Sequence, residues 1–195
     1  LYRRHFALPP QSKGLRTFLH FDAVMVGATP TINGHTLPQH LGGYLPFQYE
    51  LTDHLSQGEN VLALAVDSRW CNVPPEGSPL GAKRIDYLEA GGITRPVRLE
   101  VVPQIFISDV FAKPVKVLDP DRRIEVLCSL DAAAPAAAPV RLEVELRQGA
   151  QVLSRAQVTV PIETPGSKQV SLTLSKLGNV ALWEVQAPHL YEVVT

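Results

Sequence analysis

No window of this 195-residue chain sustains the 3.6-residue apolar period of a long helix. Strand-length β-prone runs recur instead at short intervals, with proline, glycine and asparagine between them. Each proline removes a backbone N–H and fixes φ, so 17 prolines confine regular structure to short segments bounded by turns. The fold class that follows is all-β, and because one sandwich needs about 100 residues, the length suits two in tandem. In the first half the expected strands are residues 15–21, 29–32, 47–51, 61–66 and 97–102. In the run at 61–66, Leu62, Leu64 and Val66 alternate with small apolar residues, which predicts a central strand covered on both faces.

The second half alternates more cleanly. Ile124, Val126, Cys128 and Leu130 interleave with polar residues, as do Val140, Leu142, Val144 and Leu146 with Arg141, Glu143, Glu145 and Arg147. Val170, Leu172 and Leu174 repeat the pattern, so each strand has one core face and one wet face, as in an immunoglobulin-like sandwich. The boundary is expected where one strand ends on Pro103 and another begins at Ile105, giving domains 1–102 and 103–195. Residues 131–139 are rich in alanine but interrupted by Pro135 and Pro139, so they read as a loop between strands. Residues 52–56 read as one helical turn capped by Thr52.

Eighteen basic side chains against nineteen acidic ones, spread along the chain, leave no electrostatic footprint for nucleic acid or an anionic membrane. The longest apolar stretches are strand-sized, so a soluble chain is expected, in a compartment the sequence leaves open. Cys71 and Cys128 fall in different expected domains and read as free thiols. Both ends lie inside strand-like runs, as in a piece excised from something longer.

Three segments of the first half are more specific than composition. Thr31-Ile32-Asn33-Gly34-His35 places an Asn-Gly pair, which accepts positive φ, between two strands. Gly42-Gly43-Tyr44-Leu45-Pro46-Phe47 is followed by Gly58-Glu59-Asn60-Val61-Leu62, and Gly91-Gly92-Ile93-Thr94-Arg95-Pro96-Val97-Arg98-Leu99 is a glycine turn feeding a strand. In that order the set resembles the N-terminal sugar-binding domain of glycoside hydrolase family 2, the family of β-galactosidases, β-glucuronidases and β-mannosidases. Residues 3–9 look like that domain's opening strand, and Leu182-Trp183 with Pro188-His189-Leu190-Tyr191 resembles the close of the family's immunoglobulin-like second domain. The resemblance spans nearly the whole chain. It implies a jelly-roll, galactose-binding-like first sandwich, with Trp183 and Tyr191 anchoring the second on its neighbour.

Members of that family cleave O-glycosidic bonds with retention, using two carboxylic acids about 5 to 5.5 Å apart. The resemblance places both in a later (β/α)₈ barrel, and this chain has neither the βα alternation of a barrel nor the family's Asn-Glu signature. The chain alone is therefore expected to be inactive and to need no cofactor. Its implied partners are its own catalytic barrel and, through the complete enzyme, a carbohydrate β-glycoside. Glu76, Asp86 and Glu89 are near in sequence but read as solvated loop charges, and His35 with His40 lacks the spacing and companions of a zinc site.

The candidate binding element is the long stretch from Asp67 to Gly91, since over twenty residues without a clear strand is unusual in a sandwich. In the family's β-galactosidases an aspartate seven residues before the isoleucine of the Gly-Ile-x-Arg motif contacts the sugar and a bound cation. Asp86 stands seven before Ile93, so the resemblance makes it the substrate-contacting residue and a metal ligand of the complete site. Trp70 offers an indole face to a pyranose, against the plainer role of a core plug, and Arg69 and Asn72 are candidates for hydroxyl contacts. Two other readings stay open: a self-sufficient carbohydrate-binding module, which would hold free sugar as this fragment, and a tandem-sandwich adhesion protein, which would show no carbohydrate response.

Overall fold

The computed structural model describes residues 1–69 and 90–195. The chain forms two compact units, Leu1–Pro103 and Gln104–Thr195. In the first, β1 (Tyr2–Ala7), β8 (Glu59–Asp67), β4 (Gly27–Ile32) and β5 (His35–Thr36) lie side by side, with β6 (His40–Leu41) also on β4. The facing sheet runs β10 (Val97–Val102), β2 (Arg16–Phe21), β7 (Phe47–Glu50), and a short pair joins β3 (Val24–Met25) to β9 (Gly92–Ile93). All pairings are antiparallel. The core between the sheets holds Leu19, Phe21, Ile32, Leu51 and Leu64.

The Asn-Gly pair forms a two-residue hairpin. Ile32 pairs with His35, and Asn33 and Gly34 take φ of 49° and 85°, the double positive φ of a type I′ turn. β8 is central, as expected, but only its inward face is well covered: Asn60 and Leu64 are buried, whereas Ala65 on the outward face is exposed. Its position comes from pairing with β1 and β4 on either side. A second correction concerns Thr52. The 3₁₀ turn Thr52–His54 has Leu51 at its N-cap and no side-chain cap. Thr52 Oγ1 instead accepts the Thr17 amide at 3.0 Å and donates to Glu50 at 2.9 Å. It ties the turn to the sheet, because Glu50 is already drawn to Arg16.

In the second unit β11 (Ile105–Val115), β12 (Arg123–Ala132) and β15 (Gly166–Leu174) face β14 (Gln151–Val160), β13 (Val140–Gln148) and β16 (Glu192–Val194). The alternation read from sequence packs here: Val126, Cys128, Leu130, Leu142, Val144, Leu146 and Leu174 are all buried in one core. Residues 133–139 are a loop, as the prolines require. The wet face of β13 has an exception, since Glu145 is 4% exposed. Arg155, its cross-strand neighbour on β14, and Arg147 both pair with it, so burial is tolerated because the charge is matched. Tyr191 packs on this unit's own core and clasps its closing segment, its hydroxyl accepting from the Ala181 amide at 2.9 Å and donating to the Ala181 carbonyl at 3.2 Å. Trp183, expected as an anchor, is 59% exposed.

Candidate functional site

The stretch expected to carry the site leaves β8 at Asp67 and returns at Gly91. Both stems are clamped to one segment. Gly27 pairs with Asp67, the Val26 amide donates to the Asp67 carbonyl at 3.1 Å, and Ser68 Oγ donates to the Met25 carbonyl. On the return side Val24 pairs with Ile93 and Met25 with Gly92. Glycine is required at three positions here. A Cβ on Gly43 would meet the Met25 side chain, one on Gly91 would stand 2.6 Å from Ser68 Cβ, and Gly92 combines φ of 101° with the hydroxyl of Tyr2 close by. The Gly-Gly pairs of two separate sequence motifs thus converge on Met25, itself 4% exposed, and together set the mouth of the loop.

Of the residues singled out in the loop, Arg69 lies among the described residues and Trp70, Asn72 and Asp86 lie outside them. Arg69 folds back on the loop's stem. Its Nε and Nη2 donate to Asp67 at 2.9 and 2.6 Å, and its amide donates to the same carboxylate at 3.0 Å. Those bonds hold the Asp67 carboxyl down at about 2. Arg69 therefore acts locally as a brace on the loop's base. Cys71 is also outside the described residues, and Cys128 is a free, buried thiol whose pKa burial pushes up.

His35, His40 and His54 are engaged in aromatic stacking. His40 stacks on Phe47 at 3.8 Å and Phe47 stacks on Phe21 at 4.8 Å, and burial lowers the His40 pKa. His35 stacks on His54 at 4.0 Å. Among the described residues no group of three or more His, Cys, Asp or Glu side chains is arranged to hold a metal ion, and no helix is long and apolar enough to cross a membrane.

The carboxylates show the same structural use. Arg16 grips Glu50 with two bonds of 2.9 and 2.8 Å, Arg98 holds Asp22 at 2.5 Å, and Arg123 holds Glu125 at 2.7 Å. Arginine bonding lowers the pKa of Glu50 and Glu145, as it does that of Asp67. A glycosidase's general acid needs the opposite shift, upward, to hold a proton near neutrality.

One network escaped the sequence reading because its two halves sit in different motifs. Asn60, fully buried, accepts at Oδ1 from Asn33 Nδ2 and the Ser56 amide, both at 2.8 Å. Its Nδ2 donates to the carbonyls of Ser56 and Gly58 at 3.1 and 3.0 Å. Asn33 Oδ1 in turn accepts the Val61 amide at 2.9 Å. The asparagines of the Asn-Gly and Gly-x-Asn motifs are thus one structural device, 27 residues apart in sequence, with Asn60 at its buried end.

Residues 1–103 match the family model "Glycosyl hydrolases family 2, sugar binding domain". A β-galactosidase from Thermoanaerobacter pseudethanolicus is 31% identical over 195 residues, covering 98% of this chain and 25% of that protein. A β-glucuronidase from Formosa agariphila is 29% identical over 209 residues, covering 100% of this chain and 21% of that protein. The crystal structure of a Bacteroides uniformis β-glucuronidase superposes with a TM-score of 0.85 at 25% identity, over 98% of this chain and 23% of that one. The chain thus spans about a quarter or less of the length of these relatives. With residues 1–103 matched by a family model and 98% of its length by a relative 31% identical, the chain belongs to glycosyl hydrolase family 2.

Proposed function

We propose that this chain is the non-catalytic front of a retaining glycoside hydrolase that cleaves O-glycosidic bonds in carbohydrates. Its two sandwiches brace a catalytic barrel carried elsewhere in the polypeptide, and the loop between Asp67 and Gly91 forms one wall of the sugar pocket. The observation that carries this reading is the family match over residues 1–103 in a chain covering about a quarter of proteins named β-galactosidase and β-glucuronidase.

In this reading Asp86 offers its carboxylate to a sugar hydroxyl and to a cation of the complete site. Trp70 and Asn72 stand in the same loop, and Arg69 acts through Asp67 by steadying the loop's stem. The test uses the complete polypeptide and chromogenic β-galactosides and β-glucuronides. It should hydrolyse one of them while the 195-residue chain hydrolyses neither, and Asp86→Ala should raise KM or lower kcat at least tenfold with the fold retained. Unchanged kinetics in Asp86→Ala would remove that residue from the pocket, and an inactive complete polypeptide would remove the enzyme reading.

A further inference from the structure

The chain has four asparagines, and three of them, Asn60, Asn72 and Asn179, precede valine. Asn33 precedes glycine. The difference matters for one reaction that an asparagine undergoes with its own main chain, attack on the side-chain carbonyl carbon by the amide nitrogen of the next residue. A branched valine side chain crowds that nitrogen, whereas Gly34 leaves it open. Asn33 and Gly34 are both exposed, at the tip of the hairpin between β4 and β5, within reach of water.

In the folded domain the Asn33 carboxamide is tied at both ends. Its Nδ2 donates to the His54 carbonyl and to Asn60 Oδ1, each at 2.8 Å, and its Oδ1 accepts the Val61 amide at 2.9 Å. The Asn33 amide donates to the Val61 carbonyl at 2.9 Å, so main chain and side chain are fixed to the same strand. To turn its Cγ towards the Gly34 nitrogen, the side chain must release these partners, of which Asn60 is fully buried. We propose that Asn33 is a latent self-modification site, kept as an amide by its bonds to His54, Asn60 and Val61 and converted when they open. The Gly34 nitrogen gives up its proton and bonds to Cγ, the Cγ–Nδ2 bond breaks, and the amide group leaves with that proton as ammonia. Water then opens the resulting cyclic imide at one of its two carbonyls, leaving aspartate or isoaspartate at position 33. Asp-Gly suits a type I′ turn as Asn-Gly does, but a carboxylate oxygen in place of Nδ2 sets an acceptor against the His54 carbonyl and Asn60 Oδ1. Isoaspartate adds a main-chain atom to a hairpin whose register pairs Ile32 with His35. Either product weakens the network, so the change is one-way and makes the next opening easier.

The experiment incubates the complete polypeptide natively and in denaturing urea and follows the peptide carrying residue 33 by mass spectrometry, with chromatography to separate aspartate from isoaspartate. In urea Asn33 should convert at least 100-fold faster than in the native protein, and at least tenfold faster than Asn179 of the same unfolded chain. Because the chemistry is slow beside opening and closing, the native rate should follow the open population. It should therefore rise with sub-denaturing urea in step with exchange of the Val61 amide. Asn60→Ala should speed native conversion at least tenfold, and Asn33→Asp should speed Val61 amide exchange at least tenfold. An Asn33 that converts as fast folded as unfolded would overturn the proposal, since the bonds would then not guard it. An Asn33 that stays intact in the unfolded chain, or an Asn33→Asp protein with wild-type exchange at Val61, would overturn it equally. The urea series needs only the wild-type protein, so the test stands even where Asn60→Ala fails to fold.

Discussion

Replacing Asn60 by alanine should be among the most damaging single changes to the first domain. The side chain is fully buried, and its removal strips a partner from the Ser56 amide, from two carbonyls and from Asn33 Nδ2. Leaving a buried polar group unsatisfied costs about 1–3 kcal/mol. Asn33 Nδ2 retains the His54 carbonyl at 2.8 Å, so the loss falls mainly on the Ser56–Gly58 turn, and we expect about 3–4 kcal/mol in all. That is a large part of the roughly 5–15 kcal/mol that stabilises a domain. The sharper variant is Asn60→Asp, which keeps the acceptor and turns the donor end into a second acceptor facing two carbonyls. Its buried carboxyl should titrate above the usual value of about 3.9, so the variant should gain stability as pH falls from 7 towards 4. Urea unfolding reports both changes, followed by hydrogen exchange at the amides of β4 and β8. A loss below about 1 kcal/mol for Asn60→Ala, or an Asn60→Asp variant insensitive to pH, would refute the reasoning.

Other expectations follow from single contacts. Gly43→Ala should cost about 1–3 kcal/mol by overpacking against Met25, and that cost should shrink when it is introduced into a Met25→Ala background, read by thermal unfolding. Glu50 has a depressed folded-state pKa, so its pairing with Arg16 contributes stability above its unfolded value of about 4.3 and loses it as pH falls through the lower folded value. Glu50→Gln should be less stable than wild type at pH 7, because Arg16 is 5% exposed, and should show a shallower decline as pH falls below about 4 in acid titrations followed by circular dichroism. Cys128, in a Cys71→Ser background, should resist a thiol-specific reagent in the native state and react promptly once urea unfolds its domain.

Much of the strand plan was legible because strands half-buried in a sandwich print their period on the sequence. Residues 97–102 form β10 with those bounds, and the inward set of β12 and β13 is the set the alternation named. The two-residue strands β3, β6 and β9 were not legible, since two residues carry no period and their pairing is decided by distant partners such as Gly92 for Met25 and Leu41 for Gly27. Thr52 was misread for a related reason: its hydroxyl satisfies a donor on β2, and nothing local announces that. The buried Glu145 follows the outward phase of its strand, and only the register with β14 brings Arg155 onto it. For the site, the glycines gave the base of the loop because each serves a steric need readable from residue type. The bonds from Arg69 to Asp67 were not legible, because Asp67 reads from sequence as an ordinary strand end.

The pairing of Phe21 with Val97 and of Arg16 with Val102 also sets an order of events at the ribosome. β2 cannot gain its β10 neighbour until roughly eighty more residues have been made, on the order of ten seconds at about 5–20 residues per second. Across that interval an apolar strand waits with one edge unmatched. The second unit waits less, since β11 with β12 and β13 with β14 are each joined by a short connection, although Ile124 must still wait for Leu174 and Glu145 for Val194. The interval before Val102 appears is thus the longest that an inner strand of the first domain waits for its neighbour, and is when a chaperone has most to hold.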